Sequence, residues 1–332
     1  MIDAQADTQP AAYVEQLRAS VEEALSAVVT TEEPSRLYEP VRYVLAGKGK
    51  RLRPVLLLLS AGMFDRTSAE AMPAALAVEV FHNFTLVHDD IMDHARERRG
   101  RPTVHERWDV DTAILCGDYM MGLAYELLAR LDARCLPEAL RVFGWMVARL
   151  CEGQTLDKDF ESRADVTVDQ YLHMIDCKTG ALIRAVMALG GVIGGASEAQ
   201  RAHLKAVGAH VGRAFQIQDD LLDLVADDAR WGKTVGGDLI EGKKTYVLLR
   251  ALERASGPEH EWLARIVTQR GLPPEDVPEA RARIERLGVL EEAQTAVVNH
   301  TERATEALAH LPEGTAQKTL HWLIERMQAR LF

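Results

Sequence analysis

This sequence predicts an all-α fold, built as one large helical bundle, and three observations carry the prediction. Apolar residues recur at spacings of three and four, as in Leu76, Val80, Phe84, Val87 and Ile91 and again in Leu123, Leu127 and Leu131, the pattern that lines one face of a helix. No sustained alternation of apolar and polar residues marks a half-buried strand. Proline is absent from Glu138 through Gly257, so nothing in that stretch removes the amide a long helix needs.

The elements follow in order. A first helix is expected around Tyr13 to Val29. Thr67 with Glu70 then forms a capping box that opens the helix of the Leu76–Ile91 stripe, because each side chain satisfies an orphan amide of the first turn. Arg98 to Thr103 breaks the pattern. Thr167 with Gln170 and Ser197 with Gln200 open two further helices by the same device. Breaks are expected at Asp227 to Gly237 and Gly271 to Pro278, with helices filling the region after Ala251. No Ser/Gly-rich linker divides the chain, so residues 1–332 are expected to form a single domain.

A net charge of −11 argues against a protein that coats nucleic acid or an anionic membrane through bulk electrostatics. Cys116, Cys135, Cys151 and Cys177 lie far apart, without metal-site spacing, and read as small core residues of a reducing cytosol. The first residues carry Asp3 and Asp7 where a secretory leader has basic residues and then an apolar stretch, so a cytoplasmic location is expected. The apolar runs Val55 to Ser60 and Ala185 to Ala196 fall short of the roughly 20 residues of a membrane helix, and no membrane span is expected.

The chemistry lies in an echo. His88-Asp89-Asp90-Ile91-Met92-Asp93 and Gln218-Asp219-Asp220-Leu221-Leu222-Asp223 share the pattern D-D-x-x-D after an apolar helical face, 130 residues apart. On a helix, Asp89 and Asp93 present two carboxylates from one face, as do Asp219 and Asp223. Like charges at that spacing repel, and hard oxygens with water and a substrate phosphate are what Mg²⁺ prefers. A solvated acidic face is the simpler fate of one such pair. Two of them embedded in apolar stretches suggest two helices facing each other across a metal cluster. Zinc on His88 and His94 is disfavoured by a spacing of six, which puts them off one face.

Cations that could meet the same anion are plentiful: Lys48, Lys50, Arg51 and Arg53; Arg96, Arg98, Arg99 and Arg101; Lys178; Lys233; Lys243 and Lys244. Gly232-Lys233-Thr234 ends like a phosphate-binding loop, but Asp227 stands where the first glycine is required. The phosphate is therefore expected to be a diphosphate held by metal and side chains.

The ordered set Gly49-Lys50-Arg51-Leu52-Arg53-Pro54, His82, Asp89-Asp90-Ile91-Met92-Asp93, Arg98-Arg99-Gly100-Arg101-Pro102-Thr103, Gly117-Asp118, Lys178-Thr179-Gly180, Phe215-Gln216-Ile217-Gln218-Asp219-Asp220-Leu221-Leu222-Asp223, Gly232-Lys233 and Gly242-Lys243 resembles the trans-isoprenyl diphosphate synthases, or polyprenyl synthetases. The resemblance runs from about Gly47 to Tyr246. It implies one helical bundle around a deep central cavity, a homodimer, and the joining of isopentenyl diphosphate to an allylic diphosphate (dimethylallyl, geranyl or farnesyl). It implies Mg²⁺, three ions per site, with Asp89, Asp93 and Asp219 as ligands supported by Asp90, Asp220 and Asp223. By the same resemblance Arg98, Lys178, Lys233 and Lys243 would meet the allylic diphosphate. Lys50, Arg53, His82 and Arg99 would hold isopentenyl diphosphate, and Thr179 and Gln216 would turn oxygens toward a carbocation.

Product length should depend on what blocks the cavity floor. The growing chain is expected to run beside the helix that bears Asp89, so Phe84, five residues earlier, is the candidate plug, with Thr85 small beside it and Phe81 near the same face. In the family this arrangement resembles short-chain synthases, which points to geranylgeranyl diphosphate, with farnesyl diphosphate as the alternative. A terpene cyclase would carry a different second metal motif, and a non-catalytic subunit of a heteromeric synthase would have lost one acid motif.

Overall fold

The structure, a computed structural model, describes residues 8–225 and 235–328. They divide into two compact units, each assembled from three stretches: residues up to Phe143 with Val186–Ala202 and Leu311–Trp322, and Gly144–Ala185 with His203–His310 and the residues from Leu323.

The first unit holds α1 (Thr8–Ser26), α2 (Ser35–Leu45), α3 (Leu52–Gly62), α4 (Ser68–Met92), α5 (Val104–Arg107) and α6 (Val110–Leu128). The start of α7 (Leu136–Ser162) belongs to it as well. Its core is the seam of α4 with α6 and α3, where Leu56, Leu57, Leu59, Phe81, Met120, Leu127 and Phe143 are fully buried. The Thr67–Glu70 capping box forms as expected and fixes where α4 begins. At about 1.5 Å per residue the 25 residues of α4 make a rod whose last turn carries the first acid motif.

The segment after α4 is a hairpin. Strands β1 (Glu97–Arg98) and β2 (Arg101–Pro102) pair antiparallel, and Arg99 and Gly100 between them both have positive φ, 54° and 71°, as a type I′ turn demands. Strands of two residues are too short to show an alternating pattern, so the sequence marks this segment only as a break.

The second unit contains most of α7, then α8 (Val168–Ile175), a π-helical turn (Asp176–Gly180), the start of α9 (Ala181–Gly194) and most of α10 (Glu198–Val225). Helices Tyr246–Arg254, Gly257–Thr268, Val277–Arg286 and Val289–Leu308 follow. Tyr171, Ile175, Ile217 and Leu221 pack with Leu248, Leu263, Ile284 and Val297 in one apolar cluster. The capping boxes at Thr167 and Ser197 form as well. The π-turn is held by glycines: a Cβ on Gly153 of α7 would lie 2.3 Å from the Lys178 amide nitrogen, and one on Gly212 of α10 2.9 Å from the Gly180 Cα. Only glycine lets those backbones approach so closely.

Two expectations are corrected. Val168 to Gly194 forms a 27-residue helical stretch that is apolar enough to cross a bilayer by length and composition, because the run beginning at Ala185 continues N-terminally through the π-turn and α8. The share of its apolar window buried inside the protein is 78%, the environment of a core helix. Among the cysteines, Cys116 and Cys177 are buried, but Cys135 is half-buried and Cys151 exposed.

Candidate active site

The first acid motif closes α4. Asp89 and Asp90 lie in its last turn and Asp93 is its C-cap, so three carboxylates sit at the negative end of a helix dipole, where cations are favoured and anions are not. The hairpin supplies a cation: Arg98 donates from Nε to Oδ1 of buried Asp90 at 2.7 Å. Burial lifts the Asp90 carboxyl above its ordinary range, with the Arg98 charge pulling the other way. Asp89 is half-buried and Asp93 exposed.

The turn that gives Arg98 its place also aims Arg99, which donates from Nη1 to the Lys48 carbonyl at 2.8 Å. Gly49 leaves it room, since a Cβ there would lie 3.0 Å from the Arg99 Nη1. The loop before α3 is pinned from below. Arg51, in the left-handed conformation at φ 47°, donates to the buried Glu79 carboxylate at 2.7 Å and to the carbonyls of Leu45 and Gly47. Arg53 lies 3.1 Å from Nε2 of His82. A guanidinium only donates, so that nitrogen accepts and the ring proton sits on Nδ1. Burial pushes His82 well below its ordinary pKa, and the charges of Arg53, Arg99, Arg98 and Arg51 push the same way. Four arginine charges converging on one neutral imidazole describe a place that attracts an anion.

A cavity of about 230 Å³ opens beside this wall, lined among others by Lys48, Asn83, Asp90, Arg98, Arg99 and Arg101. The structure thus brings Arg53, His82, Arg98 and Arg99 together along the C-terminal half of α4. Lys50 lies exposed on the same loop. Of the residues expected to set chain length, Phe81 is fully buried against Phe143, a core role. Thr85 is buried and donates to the His82 carbonyl. Phe84 is half-buried and meets the His88 ring edge-on at 4.7 Å.

In the second unit, Asp219 is half-buried on α10, whereas Asp220 is buried and receives three hydrogen bonds. The Tyr171 hydroxyl and the Tyr246 amide donate to its Oδ2 at 2.5 and 2.9 Å, and the Gln216 amide donates to Oδ1 at 3.1 Å. Burial raises Asp220 to about 7, against the pull of those donors. Thr179 donates to Oε1 of Gln216 at 3.2 Å. Asp223 is buried and accepts from the Asp238 amide at 3.1 Å. Lys178 reaches Asp157 of α7 at 2.5 Å. Lys243 is held by Glu241 at 2.7 Å, and Glu241 with Asp238 keeps its pKa above the ordinary lysine value despite burial. Lys233 lies outside the described residues.

The donor set suits a hard divalent ion, since carboxylates four residues apart offer oxygens and leave coordination positions for water and phosphate. Among the described residues no group of three or more His, Cys, Asp or Glu is placed to hold an ion by itself, so an ion at either motif would draw further ligands from an anion and water. Glu79, Asp157 and Tyr171 hold side chains of this site and were missed by the sequence reading. Only Glu79, a lone acid inside an apolar stripe, left a signal.

A family model described as polyprenyl synthetase matches residues 34–284. The chain belongs to the polyprenyl synthetase family. It is 39% identical over 310 residues to the short chain isoprenyl diphosphate synthase of Methanothermobacter thermautotrophicus, covering 93% of each chain. It is 36% identical to the geranylfarnesyl diphosphate synthase of Natronomonas pharaonis, covering 93% of this chain and 95% of that one. The crystal structure of a geranylgeranyl pyrophosphate synthetase from Pyrococcus horikoshii superposes with a TM-score of 0.90 at 37% identity, over 96% of this chain and 97% of that one. This polyprenyl synthetase is therefore an all-α prenyltransferase of isoprenoid biosynthesis, and prenyl diphosphates are the substrates its family implies.

Proposed function

We propose that this polyprenyl synthetase condenses isopentenyl diphosphate with an allylic diphosphate, in the presence of Mg²⁺, and releases geranylgeranyl diphosphate. The observation that carries the reading is the arginine wall of Arg53, Arg98 and Arg99 around neutral His82, with Arg98 on the Asp90 carboxylate near the end of α4. Asp89, Asp93 and Asp219 would hold the ions, three per site by resemblance to the family. When bound, Mg²⁺ would neutralise the charge that builds on the departing diphosphate.

The chain's own residues do the rest. Arg98 is assigned to the allylic diphosphate as a leaving group, and by resemblance to the family so are Lys178, Lys233 and Lys243. The first of these has its Nε on Asp90, so the two terminal nitrogens of the fork remain for phosphate. Lys50, Arg53 and Arg99 bind the second diphosphate, together with the Nδ1–H of neutral His82. Thr179 and Gln216 face the carbocation with oxygens, and the departing diphosphate takes the proton lost after attack. Phe84, half-buried one and a half turns before Asp89, stops the growing chain; Phe81 belongs to the core.

A homodimer fits the exposed apolar side chains on α6, Val110, Ile114, Leu115 and Tyr125, which are 46%, 41%, 59% and 37% exposed. The whole chain acts as a single catalytic domain in the cytoplasm. The deciding experiment incubates the purified protein with isopentenyl diphosphate and dimethylallyl, geranyl or farnesyl diphosphate in turn, with and without Mg²⁺. A metal-dependent C20 product is expected. Failure to elongate any starter refutes the reading, and a C15 end product moves it to farnesyl diphosphate.

A further inference from the structure

We propose that Tyr171 is a positioning residue: through buried Asp220 it fixes the amide of Gln216 so that a chain of hydrogen bonds ends with its negative pole at Thr179. The inference rests on the proposed reaction and names residues that act behind the groups facing the carbocation.

The chain is built from four contacts within the second unit. The Tyr171 hydroxyl, on a side chain only 4% exposed, and the Tyr246 amide both occupy Oδ2 of Asp220. That leaves Oδ1, which takes the Gln216 amide nitrogen at 3.1 Å. With both of those donors on Oδ2, Gln216 turns its NH₂ toward Oδ1 of Asp220 and its Oε1 the other way. The Thr179 hydroxyl donates to that Oε1 at 3.2 Å, which leaves the lone pairs of its own oxygen pointing onward. Every dipole in the series therefore has its negative end away from Asp220, and hydrogen bonds aligned in this way polarise one another. At the far end are the two side chains proposed to face a developing cation, where fixed negative poles lower the barrier without reorganising.

The hydroxyl of Tyr171 has one further consequence. Without it Asp220 keeps a single fixed donor on Oδ2, its carboxylate can rotate, and the Gln216 amide loses the partner that dictates its orientation. Tyr171 is buried with its hydroxyl on Asp220 and is not among the residues proposed to hold either diphosphate, so the loss is expected on the chemical step.

The test is a double-mutant cycle on the full-length protein with Mg²⁺, isopentenyl diphosphate and the best allylic starter. Tyr171→Phe is expected to lower kcat about tenfold, the value of one hydrogen bond to a charged group, with the KM of both diphosphates unchanged. In a Gln216→Leu background the same substitution should cost less than about twofold, because the chain is already cut. A merely structural hydroxyl would instead give additive losses. Additivity, a change confined to KM, or an unchanged kcat overturns the proposal. A wild-type protein that elongates no starter overturns the proposed function first, and with it this inference. Should Tyr171→Phe fail to fold by circular dichroism, Thr179→Val cuts the same chain at its other end and must show the same coupling to Gln216; additivity there is equally fatal.

Discussion

Glu79→Gln separates two tasks of one buried ion pair. The side chains of Arg51 and Glu79 are each 5% exposed and 2.7 Å apart, so removing the carboxylate charge leaves a guanidinium buried beside a neutral amide. Breaking a buried pair in this way costs about 3–5 kcal/mol. An unfolding entropy of about 2.1 cal/mol/K per residue gives about 0.7 kcal/mol/K for 332 residues, and the expected fall in Tm is about 4–7 °C. The same guanidinium holds the carbonyls of Leu45 and Gly47, so the loop carrying Lys50 loosens and the KM for isopentenyl diphosphate rises by about tenfold or more. Differential scanning calorimetry and initial-rate kinetics read the two effects. The double variant Arg51→Met/Glu79→Leu removes both charges and should recover most of the Tm, but not the KM, since the carbonyls of Leu45 and Gly47 then lose their donor altogether. A Glu79→Gln protein that melts within about 1 °C of wild type with unchanged KM would refute the reasoning.

Phe84→Ala should lengthen the product beyond C20 with turnover largely kept; chromatography of dephosphorylated products checks this, and an unchanged distribution removes Phe84 as the plug. Asp89→Asn, or chelation of the wild type, should lower elongation at least about a hundredfold, and chelated enzyme should recover when Mg²⁺ is returned. His300, whose Nδ1 lies 3.1 Å from that of His210, is pushed down to about 4 by burial and then by His210, Arg213 and Arg303, with Asp176 opposing. Its ring titrates near 6.5 when unfolded, so between those values the unfolded chain binds more protons and stability falls as pH falls. His300→Asn should therefore lose less Tm between about pH 7 and pH 5 than wild type does. Leu115→Glu places a charge on the exposed face of α6 and should yield monomers by light scattering.

The helices and the carboxylate motifs were legible because their signals are local. Thr67 and Glu70 are three residues apart, and Asp89 and Asp93 four, so a one-turn window contains each pair. What escaped is what the fold brings together from a distance. Tyr171 and Asp220 are 49 residues apart, Arg51 and Glu79 are 28, and Lys178 and Asp157 are 21. Nothing in the flanks of either partner announces the other. Asp220 shows the effect most clearly: its place in D-D-x-x-D suggests support for a metal ligand, whereas its burial makes it an acceptor for Tyr171 and Gln216. Phe81 and Phe84 look alike in sequence, and only burial against Phe143 separates core from candidate plug.

The left-handed arginine at the hairpin tip limits how this protein can be improved. Arg99 sits at φ 54°, a conformation that costs a side-chain-bearing residue on the order of 1 kcal/mol. A stability screen would single it out for glycine, and Arg99→Gly would relieve the backbone. The same exchange would remove a guanidinium from the anion wall around His82 and the bond to the Lys48 carbonyl. Thermal robustness and catalytic competence therefore pull in opposite directions at this residue, and engineering for heat tolerance should begin elsewhere, on the solvent faces of the second unit.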